Sequence, residues 1–562
     1  PARKTPLARF AGQLAELEDR GTDEGRATFF PMYVMSVDEF LQMAEIKKHE
    51  ELRADGSVVE FDESMGQVAF VSHQWVGRRH PDPEFAQLRV LQKVLRAWIT
   101  KPAYISPDIV TTMAVSAKGI SSKDLFSVPL FLWYDYFCCP QGKDSEKDLV
   151  KAIDSIPAFV AKSRFFLALV PLVRSSDESM LFTPATWAER GWCRLERTVK
   201  ELSLNQDYIV VKSEFCVEMV GSHVTSFGGS PGDGLFTIQA DRTKLAPVLR
   251  ATLKRTLLDS LREGDLARYR TVLNLQQVYL RGFAAEPVAD MVPGFESPGA
   301  DADSNLVAQY FYQNGFTKVT DVDAVGCSPL CYAAMNGDPT LITALLAQRA
   351  NPNDFIRKVN TKVGLPIWTS ALSICAFFGN NDAMCRLLAA RANVGGSFPA
   401  LGMAAFGDNP KGVHILLQYS RPDICNVFGF HGLHSGGSVG AAGAVRELLS
   451  QATPRMLGGA LTWAAFGGSV ALVELLLQAR ADINEQYVAP SIVTALGTRV
   501  QSVQYQLGHK TSATRFGYHC PRITPLMLAV LVGHYEVAAV LIAAGARIDM
   551  RNARNRTVVD LA

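Results

Sequence analysis

A pair of leucines fifteen positions apart occurs six times in the second half of the chain. The first leucine of each pair is Leu330, Leu372, Leu401, Leu433, Leu461 or Leu526. The second is Leu345, Leu387, Leu416, Leu448, Leu476 or Leu541. The pairs follow one another at broadly similar intervals, except that the last interval is about twice as long as the others. Self-similarity of this kind predicts a repeat array, in which no unit can bury its apolar face without its neighbours.

Other residues recur at fixed places in the same units. Four units carry glycine seven positions after their first leucine, and several units end in RANPN, RADIN or GARID. This pattern resembles the ankyrin repeat, a turn followed by two antiparallel helices with a usual period of about 33 residues. The resemblance implies an all-α ankyrin-repeat solenoid over residues 301–562 that binds a protein partner through its concave face.

The array departs from a regular period at two places. The long interval between Leu461 and Leu526 contains an insert near residues 487–521, which we expect either to project as a loop or to cover a missing unit. The last residues, RNRTVVDLA, begin a truncated seventh unit after six recognisable ones. Since half a unit cannot bury its apolar face, we expect the natural array to continue beyond Ala562 or to end in a frayed cap.

Short apolar runs alternate with helical patterns in the first half of the chain. Four of these runs predict buried strands: VAFV, PLFLWYDYFCC, RFFLALVPLV and YIVV. Amphipathic helices are predicted between them, for example over residues 85–98. The alternation predicts an α/β domain with a mainly parallel sheet over residues 66–215. We expect a helical segment over residues 1–65 before this domain, and a helical extension and linker over residues 216–300 after it.

Polar residues stand at the ends of the first two predicted strands. Ser72, His73 and Trp75 follow the first strand, and Asp135 lies near the end of the second. Because ligands of parallel sheets bind beyond the carboxyl ends of the strands, we expect these residues to line a ligand-binding crevice. Each also has a structural explanation: a satisfied strand-end histidine, a core tryptophan, or a carboxylate that caps the following turn.

The stretch Trp187–Glu196, WAERGWCRLE, combines aromatic residues with charged ones that are rarely buried unless paired or used. On one helix, Trp192 and Glu196 are i,i+4 neighbours, so a carboxylate lies beside an indole. A carboxylate sheltered in this way suits a general base or an acceptor for a sugar hydroxyl, so Glu196 and Trp192 join the predicted crevice. The alternative is a buried ion pair in which Arg190 or Arg194 neutralises Glu196.

The order of the motifs FVSHQW, WYDYFCCPQ, AIDSIPAFV, RFFLALVP and RGWCRLE resembles the TIR (Toll/interleukin receptor) domain. It is most similar to a divergent TIR-like group that carries SHxW, DYxCxPQ and RGWCRLE. The resemblance implies a flavodoxin-like fold over residues 66–215 and a module that self-associates. Several TIR domains cleave NAD at the nicotinamide glycosidic bond with the glutamate of WCxxE, which corresponds here to Glu196. The usual Pro-Gly loop is replaced by Pro140-Gln141-Gly142.

Two functions are therefore predicted. In the first, the chain is a signalling scaffold whose ankyrin array binds a protein partner and whose TIR-like domain is an assembly or effector module. In the second, the domain is an NAD glycohydrolase, with NAD as substrate and Glu196 as the catalytic carboxylate. A cysteine protease is a third hypothesis, because His73 and Cys138 or Cys139 follow successive strands as in caspases. However, neither the QACxG nor the SHG signature occurs.

Composition argues against several other classes. The chain has 56 basic and 55 acidic residues, so no field of one sign favours binding to nucleic acid or to an anionic membrane. The ten cysteines lack CxxC pairs and Cys/His ligand spacing, so we expect no metal site and a reduced, cytoplasmic protein. The longest apolar runs are too short for a membrane span.

Overall fold

The computed structural model describes residues 5–18, 28–77, 80–115, 118–142, 145–175, 179–203, 208–221, 229–299, 301–358 and 364–562. The chain forms two compact units. The α/β unit contains Gly21–Thr256 and Tyr279–Pro287, and the helix-pair unit contains Pro1–Arg20, Leu257–Val278 and Val288–Ala562. No helix within the described ranges is long and apolar enough to cross a membrane.

The strands and helices follow the chain in this order. The strands are β1 (Tyr33–Ser36), β2 (Val58–Glu60), β3 (Gln67–His73), β4 (Tyr104–Ile105), β5 (Ile120–Ser121), β6 (Leu130–Trp133), β7 (Phe165–Leu169), β8 (Val173–Arg174), β9 (Leu181–Phe182), β10 (Tyr208–Ser213) and β11 (Cys216–Val220). The helices are α1 (Pro6–Glu18), α2 (Val37–Gln42), α3 (His49–Asp55), α4 (Ala86–Thr100), α5 (Ile109–Val115), α6 (Ser122–Leu125), α7 (Asp135–Cys138), α8 (Glu146–Asp154), α9 (Ile156–Lys162), α10 (Pro184–Glu189), α11 (Gly191–Leu202), α12 (Ala240–Arg262), α13 (Leu266–Tyr279), α14 (Ala302–Asn314), α15 (Pro329–Asn336), α16 (Pro339–Ala347), α17 (Ala371–Phe378), α18 (Asn381–Ala389), α19 (Ala400–Phe406), α20 (Pro410–Leu416), α21 (Gly432–Ser438), α22 (Ala442–Leu449), α23 (Pro454–Leu457), α24 (Ala460–Gly467), α25 (Val470–Gln478), α26 (Ile492–Gln506), α27 (Ser512–His519), α28 (Pro525–Leu531) and α29 (Tyr535–Ala543).

The central sheet of the α/β unit has, among the described residues, seven strands in the order β11-β10-β7-β3-β6-β1-β2. The strands β10, β7, β3 and β6 run parallel, and His73 lies opposite Leu169 at the carboxyl end of β3. Every residue of β3 and β7 is buried, as expected for parallel strands that are covered on both faces. The chain leaves β3 for β6 on one side and returns to β7 on the other. In such sheets the crevice at this point of divergence is where ligands bind.

Residues 1–65 differ from the helical segment predicted for them. β1 pairs antiparallel with both β2 and β6, and Met35 lies opposite Val58 and Leu132. The strand YVMS is buried at three of its four positions. A run of four residues is too short for its period to distinguish a strand from a helix. The predicted mainly parallel sheet therefore has antiparallel strands at both edges, since β11 also pairs antiparallel with β10.

The WAERGWCRLE stretch does not form a single helix. α10 ends at Glu189, Arg190 is extended, and α11 begins at Gly191. The Leu235 N–H donates to the Glu189 carbonyl, and the Gly191 N–H donates to the Leu235 carbonyl. An atom of the Phe236 ring lies 2.1 Å from the position that a Cβ would take on Gly191. Only glycine lets the backbone approach so closely, and this contact interrupts the helix.

The helix-pair unit stacks six pairs of helices within the described residues, as the leucine spacing predicts. The pairs are α15 with α16, α17 with α18, α19 with α20, α21 with α22, α24 with α25 and α28 with α29. The first helices of successive pairs pack on one another in series, and α14 packs on α16 at one end of the stack. All twelve leucines of the spacing pattern are buried, so they form the continuous core of the array.

Local capping fixes where the first helix of several pairs begins and ends. The side-chain oxygens of Ser328, Ser370 and Thr524 accept a backbone N–H at the start of α15, α17 and α28. This satisfies one of the donors that a helix N-terminus leaves without an intrahelical partner. Gly337 and Gly379 end α15 and α17 in the left-handed region, which glycine adopts without strain.

The insert near residues 487–521 is helical. α26 and α27 pack against each other, whereas α24 packs directly on α28 and α25 on α29. The insert therefore forms a helical hairpin between the fifth and sixth pairs, and the Phe516 ring of α27 packs against Trp463 and Phe466 of α24. A helical hairpin differs from the projecting loop that was one expectation, and the expectation that the insert covers a missing unit stays a prediction. Residues 554–562, predicted to begin a seventh unit, form turns without a helix.

Part of the region predicted as an extension and linker belongs to the helix-pair unit. Asn274 on α13 donates from Nδ2 to Asn314 Oδ1 on α14 at 2.7 Å. Arg270 Nε donates to the Asn314 main-chain carbonyl, also at 2.7 Å. Because these polar groups are buried, they are satisfied only while the two helices stay together. α13 and α14 therefore form a fixed pair that precedes the array.

Candidate functional sites

Polar side chains from two strand ends meet in the α/β unit. His73 ends β3, Trp75 follows it, and Asp135 begins α7 shortly after β6. The Asp135 carboxylate lies 2.8 Å from His73 Nε2 and accepts a hydrogen bond from Trp75 Nε1 at 2.9 Å. One carboxylate thus joins the ends of β3 and β6. The structure brings these three predicted crevice residues together.

The surroundings of His73 favour its protonated form. Its side chain is only 3% exposed, and burial alone would lower its pKa. The Asp135 carboxylate acts together with the Gln74 carbonyl, which lies 3.2 Å from Nδ1. Their combined effect outweighs burial, so the pKa of His73 is raised. The ring also stacks on Tyr134 with centroids 3.9 Å apart. For Asp135, burial raises the pKa, but the nearby His73 brings the net shift downward. Each group of the pair therefore favours the charged form of the other.

Glu196 faces the same strand end from α11. One turn earlier, Cys193 Sγ donates to the His73 carbonyl at 3.4 Å, which turns this face of the helix toward β3. Among the described residues, Glu196 Oε2 is buried without a hydrogen-bond partner. Burial is the main cause that raises the pKa of Glu196 to about 8, against the lowering effect of a hydrogen bond with Ser72. The Asp135 charge raises this pKa further, and the His73 charge lowers it. Glu196 is thus mainly neutral at pH 7.

The arginines that were the alternative partners of Glu196 bind other groups. Arg190 Nη2 donates to Thr237 Oγ1 at 2.7 Å. Arg194 donates to two main-chain carbonyl oxygens, from Nε at 2.7 Å and from Nη1 at 3.2 Å. Within the described residues, neither arginine forms an ion pair with Glu196. The buried ion-pair explanation of this carboxyl group therefore has no support in the geometry.

The two tryptophans of WAERGWCRLE make different contacts. Trp192 lies on α11 four positions before Glu196, and its Nε1 donates to Asp241 Oδ2 on α12 at 3.1 Å. Trp187 is buried instead, and its Nε1 donates to Ser72 Oγ at 3.1 Å. Both tryptophans belong to WAERGWCRLE, and no residue in the motif indicates which one faces β3. Trp187 lies on α10 and Trp192 on α11, and the extended Arg190 separates the two helices.

The cysteines after β6 are poor candidates for a nucleophile. Cys138 and Cys139 are both buried, and burial raises the pKa of each thiol. Cys138 Sγ donates to the Leu132 carbonyl at 3.9 Å, while His73 is engaged with Asp135. Because a thiolate rather than a thiol is the reactive form, this geometry disfavours the cysteine-protease hypothesis.

The helix-pair unit carries a second candidate site in the turn between α16 and α17. We call its described residues 354–358 and 364–370 the Trp368 finger. Main-chain hydrogen bonds of 3.0 and 2.8 Å join the two arms of the finger. Trp368 is 54% exposed and has a φ of +69°, a conformation that a bulky residue rarely adopts. Phe355 is also exposed, and the Arg357 guanidinium lies 5.1 Å from its ring centroid.

Comparison with known proteins identifies the helix pairs. The family model described as the ankyrin repeat matches residues 325–355 and 522–553. The chain carries ankyrin repeats. A solved structure that it resembles is the crystal structure of the human ASB11 ankyrin repeat domain. The two are 21% identical, with a TM-score of 0.30, over 42% of this chain and 92% of the other. A search of curated proteins gives no match.

The two matched segments contain the first and the last helix pair, so they bracket the ankyrin array. The ankyrin resemblance of the leucine pattern is confirmed. Ankyrin repeats indicate a protein-interaction scaffold. The α/β unit is a mixed sheet covered by helices, and its TIR-like assignment stays a prediction. No sequence pattern indicates the Trp368 finger. The exposure of the Trp368 side chain depends on the turn that residues 354–358 make with residues 364–370.

Proposed function

We propose that this protein is an intracellular signalling scaffold. The ankyrin array binds a protein partner, and the α/β unit, as a TIR-like module, drives assembly or acts as the effector. The observation that carries the proposal is the Trp368 finger on an uninterrupted stack of ankyrin helix pairs. Partner binding by ankyrin arrays uses the turns and first helices that line the concave face.

The Trp368 finger has the properties of a binding hot spot. Tryptophan is the residue most enriched among side chains that dominate interface energies. Here the indole is held out by a backbone conformation that costs free energy, and such strain clusters at functional sites. Phe355 adds a second apolar ring on the same turn, and Arg357 adds a charged group above it.

The substitution Trp368→Ala tests the role of the finger. The full chain is used to capture a partner from its host cell, and the purified partner is then titrated against the wild type and the variant. Loss of a hot-spot indole is expected to weaken binding by about tenfold or more. The matched control is Tyr535→Ala, which removes an exposed aromatic ring from the second helix of the last pair. Equal affinities for all three proteins would overturn the role of Trp368.

Two features support the TIR-like part of the proposal. The four parallel strands lie across the sheet in the order β6-β3-β7-β10. Numbered by their order along the chain, this is 2-1-3-4, the order of flavodoxin-like sheets. The WCxxE glutamate then lies on the helix that follows β7 along the chain. Concentration-dependent association of the full chain, measured by sedimentation velocity, is the expected behaviour of an assembly module. A monomer at all accessible concentrations would contradict it.

NAD cleavage is the second candidate function, and the position of Glu196 favours it. This carboxyl group lies at the divergence point of the parallel strands, beside the His73–Asp135 pair, and neither Arg190 nor Arg194 neutralises it. A carboxyl group with a raised pKa near other titratable groups is a recurring property of active sites.

In this candidate reaction, the bond between ribose C1′ and nicotinamide N1 breaks. Both electrons of the bond stay on N1, so nicotinamide leaves as a neutral molecule. The ionised Glu196 carboxylate would stabilise the positive charge that develops at C1′. Water then adds at C1′ and releases one proton. Because only the ionised form is effective, the rate is expected to rise with pH through the Glu196 pKa of about 8.

Nicotinamide release by the full chain at high protein concentration tests this candidate. Glu196→Gln is expected to abolish release, and Glu201→Gln is the matched control. Glu201 is buried on the same helix, and burial raises its pKa to about 8 as well, but it lies 3.6 Å from Arg197. Release that persists in Glu196→Gln, or no release from the wild type, would leave the scaffold as the sole function.

A further inference from the structure

The helical insert exposes a continuous apolar surface. We call it the α26 stripe, and its members are Ile492, Leu496, Val500, Val503 and Leu507. Each of these side chains is between 53% and 79% exposed. Their spacing of four, four, three and four positions places them on one face of the helix. Apolar surfaces of this kind are uncommon on isolated proteins and mark interaction sites.

The other faces of α26 are already occupied. Gln501 packs against Gly517 on α27, and the Tyr505 ring stacks on Tyr518 with centroids 4.7 Å apart. At the start of the helix, Ser491 Oγ donates to the Phe428 carbonyl at 2.9 Å. α26 is thus fixed on its α27 side and at its N-terminus. The stripe lies on the side that remains and points away from α27.

A basic cleft adjoins the stripe. It has a volume of about 510 Å³, and its charged lining residues are Arg499, Arg522 and Arg554. The insert over residues 487–521 contains no Asp or Glu. Burial lowers the pKa of His519 to about 4, with further contributions from neighbouring arginine and lysine side chains. The positive charge of this region therefore has no acidic counterpart within the insert.

The charge pattern argues against two other occupants of the stripe. If a second copy placed its own stripe face to face with this one, Arg499 would meet Arg499, and like charges across an interface oppose association. A lipid surface is flat, whereas three arginines here line a cleft beside the stripe. A cleft with an apolar wall and basic groups suits a narrow, acidic ligand. The stripe extends over fifteen residues of helix, about 22 Å, which matches four turns of a ligand helix.

We propose that the α26 stripe and the arginine cleft together bind one acidic amphipathic helix of a partner protein. The apolar side of that helix packs on Leu496 and Val500, and its carboxylates face Arg499, Arg522 and Arg554. This is the helix-in-groove mode of recognition, in which apolar anchors supply the affinity and charge selects the ligand. The inference rests on the proposed scaffold function and names a partner class for a surface other than the Trp368 finger.

The experiment uses the full chain and designed peptides of about 18 residues, the length that covers the stripe. The acidic peptide has leucines on one helical face and glutamates on the other. A second peptide carries lysine in place of each glutamate, and a third has the acidic composition in a scrambled order. Fluorescence anisotropy measures the Kd of each peptide at low and at high salt. The acidic peptide is expected to bind tightest, and its affinity is expected to fall as salt rises.

Two surface variants locate the binding. The double variant Leu496→Gln/Val500→Gln removes the centre of the stripe, and Arg499→Glu reverses one charge of the cleft. Each is expected to weaken the acidic peptide by about tenfold or more. The matched control is Ile542→Gln on α29, because Ile542 is 53% exposed and Leu496 is 54% exposed. Circular dichroism of each variant verifies that the helices are retained.

Several results would overturn the inference. These are no saturable binding of the acidic peptide below about 1 mM, equal binding of the lysine or scrambled peptide, and undiminished binding by the double variant. Stripe-dependent dimerisation in sedimentation, or stripe-dependent binding to phosphatidylserine vesicles in place of the peptide, would assign the surface to another occupant. Trp368→Ala should bind the acidic peptide normally. Loss of partner capture in that variant would therefore uphold the scaffold even if the peptide experiment fails.

Discussion

The proton on Glu196 is the residue-scale feature with the widest consequences for the α/β unit. Its carboxyl group is neutral at pH 7, because burial opposes ionisation more strongly than Ser72 and His73 favour it. The neighbouring Asp135 carboxyl group has a pKa lowered by His73, so it is ionised at this pH. An ionised Glu196 would add a second negative charge beside Asp135. The crevice therefore changes its net charge near pH 8, and both stability and chemistry should respond.

Glu196→Gln is expected to change how stability depends on pH. Below about pH 4.5, the ordinary pKa of a glutamate side chain, the carboxyl group is protonated in both the folded and the unfolded state. As pH rises toward about 8, the unfolded chain releases this proton while the folded protein keeps it, so stability is lost. Glutamine does not ionise. The Tm of the variant minus that of the wild type should therefore increase from pH 5 to pH 8.5. A difference that is constant over this range would contradict the assignment.

Asp135→Asn is expected to lower the pKa of His73. With the carboxylate gone, burial becomes the dominant influence on the imidazole, and burial favours the neutral form. Histidine-selective carbon-13 labelling and NMR titration measure this pKa directly. Trp75→Phe is the comparison, because it removes one hydrogen bond to Asp135 but keeps the charge. A larger shift in Trp75→Phe than in Asp135→Asn would contradict the charge-based explanation.

Individual crevice residues differ in how far the sequence could predict them. His73, Trp75 and Asp135 were predictable, because residues that follow parallel strands share one edge of the sheet. The sequence could not predict that Trp187, rather than Trp192, contacts Ser72 of β3. Trp187 lies on α10, which ends at Glu189 where the backbone contacts Leu235, more than forty residues further along the chain. No local periodicity carries that information.

At the scale of helices and strands, the capping glycines fix how neighbouring ankyrin units meet. Gly337 ends α15 with a φ of +82°, and a Cβ there would lie 2.5 Å from the Asn380 side chain. Asn380 Nδ2 donates to the Ala334 carbonyl at 2.8 Å, from the next helix pair. A glycine at this position therefore serves both the helix end and the contact between units.

Gly337→Ala is expected to destabilise the array more than Gly264→Ala does. Both glycines have positive φ, so both substitutions introduce backbone strain of about 1 kcal/mol. At Gly264 a Cβ meets nothing within 4 Å, whereas at Gly337 it displaces Asn380 and its hydrogen bonds. Urea denaturation measures the difference. Equal losses in the two variants would show that the contact with Asn380 contributes nothing.

The elements that the sequence did not predict are those whose pattern is local and weak. β1 has four residues, too few for a period. α26 has an apolar face like any amphipathic helix, but that face is exposed, so its leucine and valines do not mark a core. The twelve leucines of the array were predictable because each recurs in every unit. Repetition supplies the redundancy that a single short element lacks.

At the scale of the whole molecule, two cores support two different kinds of function. The core of the array is a sum of similar contacts between neighbouring helix pairs, so it can carry variable turns such as the Trp368 finger. The core of the α/β unit is one buried sheet, and it positions a few polar side chains at one edge. A substitution in one core should therefore leave the side chains of the other unit in place.

Leu401→Ala and Leu132→Ala test whether the two cores unfold separately. Both leucines are fully buried, Leu401 in the array and Leu132 in β6. Each substitution is expected to cost its own unit about 2–5 kcal/mol. Calorimetry with hydrogen exchange should then show that Leu401→Ala lowers the transition of the array alone. Leu132→Ala should lower only that of the α/β unit, since each unit has its own hydrophobic core. If both variants lower one common transition by the same amount, the molecule unfolds as a single cooperative structure.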